Sequence, residues 1–273
     1  MPPRPLHLTA DLVARIPKGV GATPEQAGLT LATEADHHAV LQGILATHPP
    51  NTPFFVFAYG SLIWNPGIPV AEAIPARLHG WRRSFCLGWM TLFRGCPERP
   101  GLMLALDHGG ACSGLVLRLQ DGLDAAGLEA SLLTLIRREL PFQRGAGGAA
   151  IPPRWVPVRT AQGPLRALVF PINRKSAAYV GGLSEAAVVA SLASSAGEAG
   201  SMADYLRSTV AHLEDHGIRD RYLWRMQMLV AAHIAETWPE AAGLTQPPDA
   251  LPATPSESRT NGETDRAPRD IQA

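Results

Sequence analysis

Glu139 closes the segment "GLEASLLTLIRREL" in a position that invites chemistry. Leu128, Leu132, Leu135 and Ile136 stand at offsets of zero, four, seven and eight, which places them on one face of a helix. Glu139, at offset eleven, continues that face, while Arg137 points to the opposite side. Pro141 disfavours helical geometry at Leu140, so the helix should end near Glu139. A carboxyl aimed at the core from the last turn of a helix meets two effects that disfavour its charged form. Desolvation raises its pKa, and the negative end of the helix dipole acts in the same direction. A carboxyl raised toward neutrality is a usable general base and acid. Spacing alone leaves a second reading open, a helix-end Glu paired with Arg138, Arg144 or Arg154.

The stretch "FFVFAYGSLIWNP", Phe54 to Pro66, drives an apolar run into a glycine and a serine and then surrounds them with large apolar groups. A loop that only reverses the chain would be more polar. Gly60 lets the backbone come close to a ligand. With Ser61 and Leu62 beside it, the loop reads as built to face a small ligand. The plainer alternative is an ordinary strand-to-helix turn. Arg82 and Arg83 read either as a carboxylate clamp for substrate, with Arg83 as the binding residue, or as a solvated strand end. His212 and His216 lie four apart on one helix face, a metal-binding spacing, but no third ligand sits at a motif distance and no metal site is expected.

The elements that must position these groups are legible in outline. "LTADLVARI", with Thr9 as a possible N-cap, and "TEADHHAVLQGILATH", ending before Pro49-Pro50, predict two helices in an N-terminal arm over residues 1–50. His37 and His38 are adjacent and read as surface residues. "PFFVFAYG" predicts a strand buried on both faces. "GLMLALDHGGACSGLVLRL" predicts a hairpin turning at Asp107-His108-Gly109-Gly110, and "RWVPVRT" with "LRALVFPI" predicts another around Gly163-Pro164. "IPARLHGW" is a further possible strand. Helices are expected from Asp121-Gly122 to Glu139, after Ser184, from Ser201 to a stop at Gly217, and over "RDRYLWRMQMLVAAHIAETW". The expected fold class is α+β, a small mixed β-barrel or curled sheet with flanking helices, over residues 51–238. The tail at 239–273 is rich in Pro, Ser, Thr, Asp and Arg and is expected to be disordered.

The 273 residues balance 24 Lys plus Arg against 24 Asp plus Glu, which points away from nucleic-acid and anionic-membrane partners. No apolar run reaches the length of a membrane-spanning helix, and the N-terminus lacks the apolar core of a secretory signal. Three cysteines, Cys86, Cys96 and Cys112, have no metal-like spacing; an odd count fits a reducing, cytoplasmic setting and small buried residues rather than a catalytic thiol.

"VFAYGSLIWNP", "GWRRSF", "RRE" after an amphipathic helix, "PRWVPV", "DYL" and "GIRD" occur in that order. This series resembles the ChaC-like, glutathione-specific gamma-glutamylcyclotransferases over roughly residues 54 to 230. The resemblance implies a small mixed barrel with flanking helices. It also implies an intramolecular cleavage of a gamma-glutamyl amide to 5-oxoproline, with cysteinylglycine released from glutathione. It places the family's catalytic Glu on Glu139, its substrate loop on Val56, Phe57, Ala58, Tyr59, Gly60, Ser61 and Leu62, and a substrate-proximal tyrosine on Tyr205. Three departures stand out: Ala58 where a glycine is usual, "LGWMTLFRGCPERPG" where Asp-His usually precedes Arg-Gly, and Leu140-Pro141 after the Glu.

The implied reaction needs no metal or cofactor, and its partner is a small molecule, glutathione or a related gamma-glutamyl compound. The attacking group is the substrate's own α-amine, mostly ammonium at neutral pH. Glu139 is the candidate to take its proton and hand it to the departing amide nitrogen. Two alternatives belong beside this reading: a cyclotransferase for other gamma-glutamyl amides, and a non-catalytic gamma-glutamyl or amino-acid-binding regulator linked to cation transport. Oligomeric state is not encoded in any motif of the chain.

Overall fold

The computed structural model describes residues 4–50, 52–120 and 124–239. The expected helix start at Asp121-Gly122 and the expected disordered tail beyond Pro239 lie outside the described residues.

Two long strands build most of the sheet. Strand β2, Val70–Met90, pairs antiparallel with β3, Gly101–Leu119, along nearly their whole length. Strand β1, Phe55–Ala58, lies on the other side of β3, and the hairpin of β4, Arg154–Thr160, and β5, Gly163–Val169, returns to it. The order β1-β3-β2-β4-β5 closes into a barrel through the parallel pair Val56↔Leu168. Closure leaves β1 without a free edge, so its backbone is a rigid platform for the loop that follows. The hairpin expected around Gly163-Pro164 is present.

The hairpin expected at Asp107-His108-Gly109-Gly110 is not, and β3 runs straight through those residues. Gly109 and Gly110 have φ of 101° and 72°, and across from them Gly80 has φ of 83°. His79 pairs with Ala111 and Trp81 with His108, so the glycines form a bulge in a continuous ribbon. Left-handed backbone at three glycines bends the strands where the sequence reading expects a reversal. The bend divides the work of the ribbon. Before it, Ala76 and Leu78 of β2 join Phe57, Tyr59, Cys112 and Val116 in the barrel interior. Beyond it, Phe85, Cys86, Leu102 and Leu104 pack against the helices.

The helices follow their sequence signals closely. α1, Ala10–Ala14, starts at Thr9, whose side chain accepts from the Leu12 N–H. α2, Glu34–Ala46, carries a full capping box between Thr33 and Asp36. α3 spans Ala125–Glu139 with Asp124 as N-cap. α4, Glu185–Ser194, is capped by Ser184; α5, Met202–Asp215, by Ser201; and α6, Arg221–Thr237, by Asp220. Gly217, at φ of 69°, ends the turn after α5. Leu8, Ile16, Leu41 and Ile44 of the N-terminal arm belong to the same core cluster as the helices and the outer faces of β1 and β3.

His37 corrects an expectation. It is 6 % exposed, not a surface residue, because α2 turns that face toward the end of α3. The cysteines are free and buried, and burial pushes the Cys86 and Cys112 thiols up to about 11. A thiol reagent at mildly alkaline pH is therefore expected to leave all three cysteines of the native protein unlabelled and to label them once urea unfolds it. Fast stoichiometric labelling of the folded protein, followed by mass spectrometry, would contradict this burial.

Candidate active site

Helix α3 delivers its last residue as its spacing requires. Leu132, Leu135 and Ile136 are at most 1 % exposed, while Arg137 faces outward and pairs with Glu34. The Asp124 side chain accepts from the Gly127 N–H at 2.7 Å and fixes the start. Leu140 leaves helical geometry at φ −127°, ψ 59°, and the helix stops before Pro141. The Glu139 side chain, in this last turn, is 16 % exposed. Burial pushes its carboxyl up to about 7, against the opposing charge of Arg138. The C-terminal end of the helix dipole works with burial.

Arg138 connects that carboxyl to the glycine-bearing loop. Its Nε stands 3.6 Å from Glu139 Oε1, a loose ion pair. Its Nη2 donates to Ser61 Oγ at 2.8 Å, and its Nη1 donates to the Asn65 carbonyl. Of the three arginines that the sequence offers as partners for Glu139, the structure pairs Arg138 with it. The pairing leaves the carboxyl protonatable near neutrality because the N–O separation is too long for a strong charge-assisted bond.

The loop itself is held from below. The Tyr59 hydroxyl donates to the Phe170 carbonyl at 2.9 Å, and Arg83 Nε donates to the Tyr59 carbonyl at 2.7 Å. The chain then enters a 3₁₀ turn, Ser61–Ile63, closed by Ile63 N–H to the Gly60 carbonyl at 3.0 Å and Trp64 N–H to the Ser61 carbonyl at 3.2 Å. The Leu62 amide precedes the first bonded N–H of this turn, which is where a helix offers a donor outward, while the Ser61 N–H donates to the Tyr205 hydroxyl. Val56, Phe57 and Ala58 are wholly buried and alternate between the helix side and the barrel interior, so strand β1 acts as a floor.

Tyr205 reaches the loop from α5. It is 3 % exposed, and its hydroxyl lies so close to Gly60 that a Cβ there would sit 2.4 Å from it. Burial first, then the charge of Glu139, raises the Tyr205 hydroxyl to about 12, and the same two causes raise Tyr59. Glu139, Tyr59, Gly60, Ser61 and Tyr205 are thus one electrostatic neighbourhood.

Gly60→Ala is expected to lower kcat/KM by roughly 10- to 100-fold, the scale on which small displacements act in oriented sites. The effect should shrink when Tyr205 is changed to Phe, because the clashing oxygen is then gone. Equal losses in both backgrounds, measured as a double-mutant cycle, would show that this oxygen is not the reason for a glycine.

Two further groups complete the picture. Arg83 binds Asp220 Oδ2 through Nη1 at 2.8 Å, so two of its three nitrogens serve the protein itself. Arg94 was not singled out by sequence reasoning. Its guanidinium lies 5.5 Å from the centre of the Tyr205 ring and donates to the Ser201 carbonyl at 2.9 Å, and burial works against its charge. The signal was the Arg94-Gly95 pair in "LFRGC", which the sequence reading noted only as part of a departure. A cavity of about 900 Å³ lies beside Arg83 and Asp220, but neither Glu139 nor residues 59–62 line it.

The family model of ChaC-like proteins matches residues 54–233. A glutathione-specific gamma-glutamylcyclotransferase from Escherichia coli (strain K12) is 32 % identical over 203 residues, which cover 74 % of this chain and 83 % of that protein. The glutathione-specific gamma-glutamylcyclotransferase 1 of Homo sapiens is 26 % identical over 160 residues, 56 % of this chain and 66 % of that protein. Among solved structures, a gamma-glutamyl cyclotransferase specific to glutathione from yeast overlays with a TM-score of 0.56 at 21 % identity, covering 67 % of this chain and 97 % of that one. That overlay is a likeness of fold.

Proposed function

Because the chain belongs to the ChaC-like family, we propose that it is a gamma-glutamylcyclotransferase that cleaves glutathione to 5-oxoproline and cysteinylglycine, with Glu139 as base and acid. The observation that carries this reading is a carboxyl raised to about 7 and linked through Arg138 to Ser61.

In this mechanism the glutamyl part of the substrate lies folded against residues 59–62. The α-ammonium gives a proton to the Glu139 carboxylate, and the freed nitrogen attacks the γ-carbonyl carbon. The new C–N bond closes a five-membered ring, and negative charge gathers on the carbonyl oxygen. The outward amide of Leu62 is a candidate donor to that oxygen or to the glutamyl carboxylate. As the old C–N bond breaks, Glu139 returns the proton to the departing amine, and the ring nitrogen, cationic after its attack, gives its second proton to the vacated carboxylate and on to solvent, which leaves the neutral lactam of 5-oxoproline. A base with a pKa near 7 suits both transfers. Holding the chain folded contributes in its own right, about 7–11 kcal/mol in well-oriented intramolecular reactions.

Arg94, beside Tyr205, is the cation we assign to a carboxylate of the substrate; the third nitrogen of Arg83 has no hydrogen-bond partner among the described residues but is buried. No helix among the described residues is long and apolar enough to cross a membrane. The three free cysteines support placing the protein in a reducing cytoplasm. Residues 51–238 are read as the catalytic domain and 1–50 as an arm on it.

The test is a substrate panel. Glutathione and a set of gamma-glutamyl amino acids are incubated with the full chain, and 5-oxoproline is quantified. Release of 5-oxoproline from glutathione is expected. Release only from other gamma-glutamyl amides would move the leaving-group assignment, and no release from any of them would favour a binding protein.

A further inference from the structure

The family match begins at Phe54, so it assigns nothing to the arm that precedes it. The arm nevertheless reaches the segment that follows Glu139 and the loop that carries Arg94. Residues 30–32 run along residues 141–143: the Ala32 N–H donates to the Pro141 carbonyl at 2.9 Å, and the Gln143 N–H donates to the Thr30 carbonyl at 2.9 Å. Leu31 and Phe142 form the antiparallel bridge between them.

Helix α2 starts directly after this contact and continues it. Glu34 receives Arg137 Nε at 3.0 Å and Nη2 at 2.6 Å. Gln143 Nε2 donates to Asp36 Oδ2 at 3.3 Å. The ring of His37 donates from Nε2 to the Leu140 carbonyl at 3.1 Å. Every residue from Leu140 to Gln143 is therefore held by the arm.

At its other end the arm holds the loop that carries Arg94. The Ala22 N–H donates to the Thr91 carbonyl at 2.8 Å, and Arg99 Nη2 donates to the Pro17 carbonyl at 2.9 Å. Phe93 of that loop and Phe142 meet with ring centres 6.1 Å apart.

The physical need for this strap lies at the end of α3. The last carbonyls of a helix have no partner within it. Pro141 prevents the helix from continuing and offers no N–H of its own. The carbonyl of Leu140, next to Glu139, must find a donor elsewhere or stay unpaired in a half-buried place. His37 supplies it from a ring only 6 % exposed. The other ring nitrogen has no hydrogen-bond partner among the described residues, and Glu34 Oε1 stands 3.7 Å from it. The carbonyl of Leu140 is thus the one hydrogen-bond partner of the ring among the described residues.

We propose that the N-terminal arm is a positioning element of the active site, and that His37 is the positioning residue that fixes the C-terminal end of α3 and, through it, the Glu139 carboxyl. The inference rests on the reading of Glu139 as the base. His37 does not touch substrate; it sets where the base stands, and oriented sites lose rate steeply with displacement.

The test compares His37→Leu with His37→Gln in the full chain, measuring kcat, KM and Tm. His37→Leu is expected to lower kcat by roughly 10- to 100-fold with KM little changed, at temperatures where the variant is fully folded. His37→Gln keeps an N–H donor of similar reach and should recover most of the loss. Wild-type kcat in folded His37→Leu, or equal impairment in both variants, would overturn the proposal. Should His37→Leu fail to fold, Ala32→Pro removes the N–H that reaches Pro141 and must show the same fall in kcat; unchanged kcat there overturns it equally. Retained activity in Glu139→Gln would remove the base and this inference together. An inactive Glu139→Gln beside a fully active His37→Leu would remove this inference alone.

Discussion

Glu139→Gln is expected to lower kcat for glutathione by roughly 10²- to 10⁴-fold with KM little changed. The side chain keeps its size and its place at the end of α3, and it loses only the ability to carry a proton. In the proposed mechanism substrate binding draws on the loop backbone and on Arg94, which the substitution leaves in place. The wild-type rate should also fall on the acid side with an apparent pKa near 7, since burial has pushed the carboxyl up to about 7 and only its charged form can accept the proton. That limb should be absent from the residual activity of the variant. Turnover within a few-fold of wild type, or an acid limb that survives the substitution, would show that another group moves the proton.

The same raised carboxyl has a consequence for stability whose sign is fixed. A group that holds its proton more tightly in the folded protein, at about 7 against an ordinary 4.5, destabilises the fold at pH values where it is charged. The cost is absent below the unfolded pKa, grows through the interval between the two values, and is complete above 7. It amounts to about 3 kcal/mol at its full extent. Glu139→Gln is therefore expected to unfold at a higher temperature than wild type at pH 8 and at nearly the same temperature at pH 4. With Glu139 as the proposed base, catalytic competence and stability are opposed at this residue, as in other sites that keep an acid group in apolar surroundings.

How much of this could be read from the chain depended on how local the determining facts are. Glu139 was legible because one helix, its apolar period and the following proline settle where the side chain goes. The loop from Tyr59 to Leu62 was legible as a glycine where an apolar strand ends, but not the reason for the glycine, since Tyr205 comes from a different helix. Gly109-Gly110 fit a reverse turn and a bulge equally well in one dimension. The choice is made by Gly80 on the neighbouring strand, which no local pattern reveals. His37 was misjudged for a similar reason: its partner, the Leu140 carbonyl, lies 103 positions away along the chain. Arg94 meets Ser201 across 107 positions, and only that contact distinguishes it from a surface arginine.

Arg83→Met carries the second large effect, a loss of about 3–5 kcal/mol of stability. The Arg83 side chain is 1 % exposed and its ion-pair partner Asp220 is 19 % exposed. Methionine fills comparable space, so the cost arises from charge and hydrogen bonding rather than from a void. Asp220 loses a guanidinium 2.8 Å away while its other oxygen still caps α6, accepting from the Tyr222 and Leu223 N–H groups at 3.0 and 3.1 Å. The Tyr59 carbonyl loses its donor at the same time. Adding Asp220→Asn should recover part of the loss, because the stranded charge is then removed, and denaturant unfolding of the two single variants and the double variant measures the coupling. The kinetics of folded Arg83→Met, taken well below its Tm, separate the two roles that the residue has been given. A clamp on a substrate carboxylate predicts a rise in KM, exerted through the nitrogen that has no partner in the protein. A support for the loop predicts a fall in kcat, exerted through Tyr59 and the adjacent Gly60. The two bonds already made by Arg83 within the protein favour the second outcome. A variant as stable as wild type would mean that neither bond contributes what its burial implies.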